Sequence, residues 1–93
     1  MGGERLHFVV TGVVQGVFFG ASTKEKVDAL SIFGWIRNRS SGKEVEGVAE
    51  GERAQLKLLL VWLRRGPPGA TVEKIDFSWE KATGEFFGFL IRE

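Results

Sequence analysis

Between Glu52 and Arg65 the apolar residues Leu56, Leu59, Leu60 and Leu63 recur at i, i+3, i+4 and i+7, and Gly66-Pro67-Pro68-Gly69 stops the run. That spacing predicts a helix with one apolar stripe and a firm end. Such a stripe has to be buried against another surface, and the rest of the chain supplies strands. Leu6, Phe8, Val9 and Val10 predict a buried strand over 5–11, closed by Gly12. GWIRNR from Gly34 and KEVEGVAEG from Lys43 alternate around the Ser40-Ser41-Gly42 turn, which predicts a hairpin. Val72–Lys81 carries Ile75, Phe77 and Trp79 on one face, and after Thr83-Gly84 the residues Phe87, Phe89 and Ile91 alternate in a last short strand. Thr23, Val27 and Leu30 mark a first helix, with Ser22 and Glu25 at capping-box spacing near its start, or a residue or two inside it.

The order is therefore β, α, β, β, α, β with one more short strand. Two strand–helix–strand units in one sheet predict an α+β, ferredoxin-like βαββαβ sandwich, with an antiparallel sheet and both helices on one face. The 93 residues suffice for a single domain, 1–93, with one core. Lysine plus arginine number 13 against 12 acids, a net charge of +1, so no strong field draws in nucleic acid or an anionic membrane. The absence of cysteine excludes disulfides, thiolate metal sites and thiol catalysis, and one histidine argues against zinc. The N-terminus lacks a signal-peptide pattern, and the longest apolar run, Leu58–Leu63, is too short to span a bilayer. These features fit a cytoplasmic protein.

The stretch GVVQGVFFG, residues 12–20, joins the first strand to the first helix. A strand–loop–helix junction exposes amides that lack intrahelical partners, and the helix dipole adds partial positive charge there. Gly12 and Gly16 would let the loop curl into an anion-binding nest, although a plain tight turn has the same composition. It is neither a Walker loop nor a dinucleotide fingerprint, because the required spacings are missing. In GWIRN, residues 34–38, Ile36 and Asn38 share one strand face and Trp35 and Arg37 the other. Asn38 either opens the hairpin turn or, beside an anion nest, holds a water molecule for attack.

Gly12-Val13-Val14-Gln15-Gly16-Val17-Phe18-Phe19 followed by Gly34-Trp35-Ile36-Arg37-Asn38, with a glycine turn and a strand ending in Gly51, resembles the acylphosphatases. The likeness runs through the second helix to Phe89-Leu90-Ile91-Arg92. It implies the same sandwich and a small, monomeric cytoplasmic hydrolase. Such an enzyme cleaves the carboxyl–phosphate bond of an acyl phosphate to carboxylate and inorganic phosphate, without a metal or other cofactor. By this resemblance the amides of Gln15, Gly16, Val17, Phe18 and Phe19 bind phosphate, and Asn38 positions the attacking water. The catalytic arginine of the family falls at Gly20. Arginine grips phosphate with a charged, bidentate fork that glycine lacks, so weakened turnover is expected, the alternative being a non-catalytic anion-binding module. Lys24, one helical turn on, is the nearest cation on the same face. Two smaller departures are Ser31, where the family ends the helix with glycine, and a hairpin turn that reads one residue long, which predicts a bulge or a looser turn.

His7, the tryptophans Trp35, Trp62 and Trp79, and the Arg64-Arg65 pair read as structural: a strand histidine, core or rim aromatics, and a helix-end pair. The strands lack the aromatic-and-basic pattern of a single-stranded RNA or DNA binder.

Overall fold

The structure, a computed structural model, describes residues 3–92. Its elements are β1 (Glu4–Val13), α1 (Phe19–Ala29), β2 (Phe33–Asn38), β3 (Glu44–Gly51), α2 (Arg53–Arg65), β4 (Thr71–Lys81) and β5 (Phe89–Arg92). The strands form one sheet in the order β4-β1-β3-β2-β5. Four of them are antiparallel neighbours, β1 with β3 and β4, and β2 with β3. β5 runs parallel to β2, which corrects the expectation of a wholly antiparallel sheet. The segment after β4 crosses to the far edge and enters at the start of β2, where Gly34 N–H donates to Gly88 O at 2.9 Å. From that entry β5 can only run in the direction of β2.

Period-2 alternation in β1 places Leu6, Phe8 and Val10 on the helix-covered face, opposite Ala49, Gly47 and Val45 of β3. Phe8 packs directly over Gly47: a Cβ there would lie 2.2 Å from Phe8 Cζ. Ile36, Val27, Leu56, Leu59 and Leu63 complete the buried cluster, each contributing roughly 1.5–3 kcal/mol by its removal from water. α2 is the helix its leucine spacing predicts. Leu60 is buried with the others, and Arg64 and Arg65 sit exposed in the last turn, where the dipole favours cations.

Three local expectations are corrected, and a fourth, left between two forms, is decided. β1 does not stop at Gly12 but continues to Val13, with a register shift against β4 between Thr11 and Gly12. α1 starts at Phe19 without a side-chain cap, and Ser22 lies inside it, its N–H donating to Phe18 O at 3.0 Å, so the capping box does not form. β5 begins at Phe89, leaving Phe87 exposed. The β2–β3 hairpin holds regular register and closes with Arg39 N–H on Glu44 O at 3.0 Å; its extra length is absorbed in the turn, at Gly42 with φ 79°, and not in a bulge. Ser31 does keep the left-handed conformation, φ 56°, just past the end of α1. There Ile32 N–H reaches back to Val27 O at 3.2 Å, a Schellman-type closure.

The sheet face away from the helices is polar and cross-braced. Glu50, 6% exposed, accepts from Arg5 Nε at 2.8 Å, Thr83 N–H at 2.8 Å, Thr83 Oγ1 at 3.1 Å and Gly84 N–H at 3.0 Å. Burial raises the Glu50 pKa, but the Thr83 amide, Arg5 and the remaining donors outweigh it and hold the group below its ordinary value. Glu46 bridges His7 Nε2 at 2.7 Å and Arg37 at 2.8 Å, and these contacts, His7 foremost, lower its pKa against the opposing effect of burial. His7 is thus a strand histidine in a surface network.

Candidate functional site

The five residues 14–18 connect β1 to α1. Val14 anchors the loop in the core and Val17 packs against the core's edge. Gly12 allows the entry: its φ is 146°, and a Cβ there would lie 2.1 Å from Thr71 O, so only glycine permits β4 to approach this closely. Its N–H donates to Lys43 O at 2.9 Å, tying the end of β1 to the β2–β3 turn. Gly16 takes φ 74° and Phe18 φ 58°, and these reversals curl the backbone in front of the helix start. A left-handed bulky residue costs on the order of 1–3 kcal/mol, and Phe18 is nevertheless 82% exposed.

The loop leaves donors free. Among the described residues, no protein acceptor takes the amide N–H groups from Gln15 to Ala21, whereas the Ser22 amide begins the regular helical pattern. The partial positive charge of the α1 dipole adds to these amides. The same end of the molecule holds a cavity of about 230 Å³ lined by Gly16, Phe18, Phe19, Gly20, Ile36 and Asn38, with Val14, Ala21, Val45, Ile91 and the two arginines Arg37 and Arg92. A partly apolar recess at a helix N-terminus, bordered by residues with free amides, suits a tetrahedral anion.

The structure therefore brings Gly16, Phe18, Phe19, Gly20 and Asn38 together. Gln15 and Val17 do not line the cavity; they belong to the loop by their backbone, and the Gln15 side chain turns away to the hairpin. Asn38 lies on the Ile36 side of β2, as alternation predicts. The cations around the recess are each engaged elsewhere. Lys24 pairs with Asp28 at 3.4 Å, Arg37 is held by Glu46, and the Arg37 and Arg92 guanidiniums lie over the Trp35 ring at 5.6 and 4.9 Å. Ile91 is a lining residue that sequence reasoning missed. Its alternation was visible, but only the β2–β5 pairing puts Ile91 opposite Ile36. A larger open groove of about 720 Å³, lined by Lys26, Trp62, Arg65 and the Gly66–Ala70 turn, holds neither the loop amides nor Asn38.

Comparison with known proteins agrees with this geometry. The acylphosphatase family model matches residues 6–91. An acylphosphatase of Pelotomaculum thermopropionicum is 47% identical over 98% of this chain and 98% of its own length, and one of Pyrobaculum aerophilum is 51% identical over 94% and 92%. Among solved structures, an acylphosphatase from Coxiella burnetii superposes with a TM-score of 0.90 at 37% identity, covering 98% of this chain and 94% of that one. An acylphosphatase from Bacillus subtilis gives 0.92 at 28% identity, covering 97% and 99%. With the sandwich, the loop before α1 and the near-complete coverage in accord, the chain belongs to the acylphosphatase family.

Proposed function

We propose that this protein hydrolyses the carboxyl–phosphate bond of acyl phosphates to a carboxylate and inorganic phosphate, with turnover weakened at Gly20. One observation carries the reading: Gly16, Phe18, Phe19 and Gly20, whose amides have no protein acceptor among the described residues, line the same cavity as Asn38. The amides from Gln15 to Phe19 hold the phosphoryl oxygens. The Asn38 carboxamide, which both donates and accepts, holds a water molecule against the phosphorus. Water attacks, the bond from phosphorus to the acyl oxygen breaks, and its electron pair leaves on the carboxylate. The water's protons pass to the new phosphate and to solvent. A carboxylate is a good leaving group, so positioning and charge stabilisation suffice. The mechanism draws on backbone dipoles and one carboxamide, needs no metal or organic cofactor, and is that of a cytoplasmic monomer.

Gly20 sits where the family pattern has arginine, and the two arginines that line the same cavity, Arg37 and Arg92, stack on Trp35. Acetyl phosphate hydrolysis and inorganic phosphate binding, followed on ¹⁵N-labelled protein, test the proposal. The expected results are phosphate-dependent shifts of the amides at 15–21, a drop of about 10²-fold in turnover for Asn38→Ala, and a gain for Gly20→Arg. Absence of shifts at those amides would overturn the assignment. Phosphate binding without turnover in either the native chain or Gly20→Arg would instead identify a non-catalytic anion-binding module, the reading that the missing charged fork favours.

A further inference from the structure

We infer that Gln15 is a positioning residue: its carboxamide fixes the distance between the amide-lined loop and Asn38. The inference rests on the function proposed above. Gln15 Nε2 donates to Arg39 O at 2.8 Å and to Glu44 O at 2.9 Å. Both acceptors are carbonyls, so the nitrogen end of the amide, and not the oxygen, must face them. The two carbonyls belong to the closing pair of the β2–β3 hairpin, because Arg39 N–H itself donates to Glu44 O at 3.0 Å. Arg39 follows Asn38 directly. A single side-chain nitrogen thus spends both its protons holding the loop against the strand end that presents Asn38.

The backbone ties the same two segments one step further back, where Gly12 N–H meets Lys43 O at 2.9 Å. That bond fixes only the entry of the loop. Beyond it the chain turns through Gly16 and Phe18, and among the described residues Gln15 is the one member of 14–18 whose side chain hydrogen-bonds to the hairpin, twice. Few other side chains can do this. Glutamate has no proton to give when ionised, an apolar residue leaves Arg39 O without this partner, and asparagine is one methylene shorter. Displacement of a reacting group by about 1 Å can cost on the order of 10²-fold in rate, so a loosened loop should lower turnover more than it weakens phosphate capture, which depends on the loop amides alone.

The experiment compares Gln15→Met, nearly equal in length but without donors, with the native protein in two independent arms. In the first, amide hydrogen exchange is followed at 14–18 and 39–44. A rise confined to these two segments supports the clamp, and unchanged exchange overturns it whether or not the protein turns over acetyl phosphate. In the second, kcat for acetyl phosphate should fall at least about tenfold while KM stays within about threefold. In an Asn38→Ala background the same Gln15 change should cost nothing further. Equal losses in both backgrounds, or a rise in KM matching the fall in kcat, would mean that Gln15 only shapes the loop and would overturn the inference. Gln15→Glu, which keeps the length and reverses the bonding, should repeat the Met result, and its agreement with native protein would count against the clamp. If the native chain fails to hydrolyse acetyl phosphate, the proposed function falls, and the exchange arm still decides the clamp.

Discussion

Gly20 stands against Ile91 with room between them: a Cβ on Gly20 would lie 3.5 Å from Ile91 Cγ2 and 3.7 Å from Ile36 Cγ2, ordinary van der Waals separations. The residue is in the first turn of α1. Alanine there should therefore stabilise the protein by about 0.4–1 kcal/mol, chiefly by restricting the unfolded chain. Thermal unfolding of Gly20→Ala checks this, and a lower Tm would show that the site is more crowded than the distances indicate. Arginine has the same stem space and should raise stability in the same direction while strengthening phosphate binding.

Glu50 accepts four hydrogen bonds while almost fully buried. Glu50→Gln replaces an oxygen with a donor facing other donors, and should cost about 1–3 kcal/mol at neutral pH. The depressed pKa fixes the sign of the pH dependence. In acid the unfolded chain binds the proton more readily than the folded one, so stability rises with pH there. The contribution of Glu50 is fully present above the ordinary carboxylate value of 4.5 and is lost as pH falls through the lower folded value. Urea titrations from pH 7 downward should show the native protein and Glu50→Gln converging in strong acid; a constant gap would mean that the carboxylate charge contributes nothing.

Ser31 holds φ 56° at the end of α1. Left-handed backbone costs a non-glycine residue roughly 1–2 kcal/mol, part of which Ser31→Gly gives back in unfolded-state entropy. The expected gain is about 0.5–1 kcal/mol, or several degrees in Tm for a domain of this size. A loss on this substitution would show that the serine hydroxyl supplies more than the strain removes.

Gly47 lies under the Phe8 ring, with Cζ 2.2 Å and both Cε atoms 2.8 Å from the position of a Cβ. Phe8 is completely buried, so the ring has nowhere to retreat. Gly47→Ala should destabilise by about 1–3 kcal/mol through overpacking. Adding Phe8→Leu should restore part of that, because the two changes share one volume. Additive losses in a double-mutant cycle would contradict direct contact.

Much of this architecture is written in short-range pattern. The leucine stripe of α2, the Ile75, Phe77 and Trp79 face of β4 and the shared side of Ile36 and Asn38 follow from periods of 3.6 and 2, which a chain carries locally. The start of α1 was not legible in the same way. Ser22 and Glu25 have capping-box spacing, yet the helix begins earlier at Phe19, because the left-handed turn at Phe18 and the packing of Phe19 into the core set the boundary instead. The family resemblance marks Gln15 only as a backbone donor. Nothing near it in sequence reveals that its side chain meets carbonyls 24 and 29 residues away.

Sequence alone determined the succession of elements, the faces they bury and the family they resemble, since side-chain period and turn chemistry are properties of neighbouring residues. Tertiary structure decided the rest: the parallel seat of β5 that brings Ile91 beside Ile36, the shift at Gly12, the four donors converging on Glu50, and the hold of Gln15 on the strand that carries Asn38. Each depends on strand order and register, and these are settled only when segments distant in the chain pair and the whole sheet buries one common face.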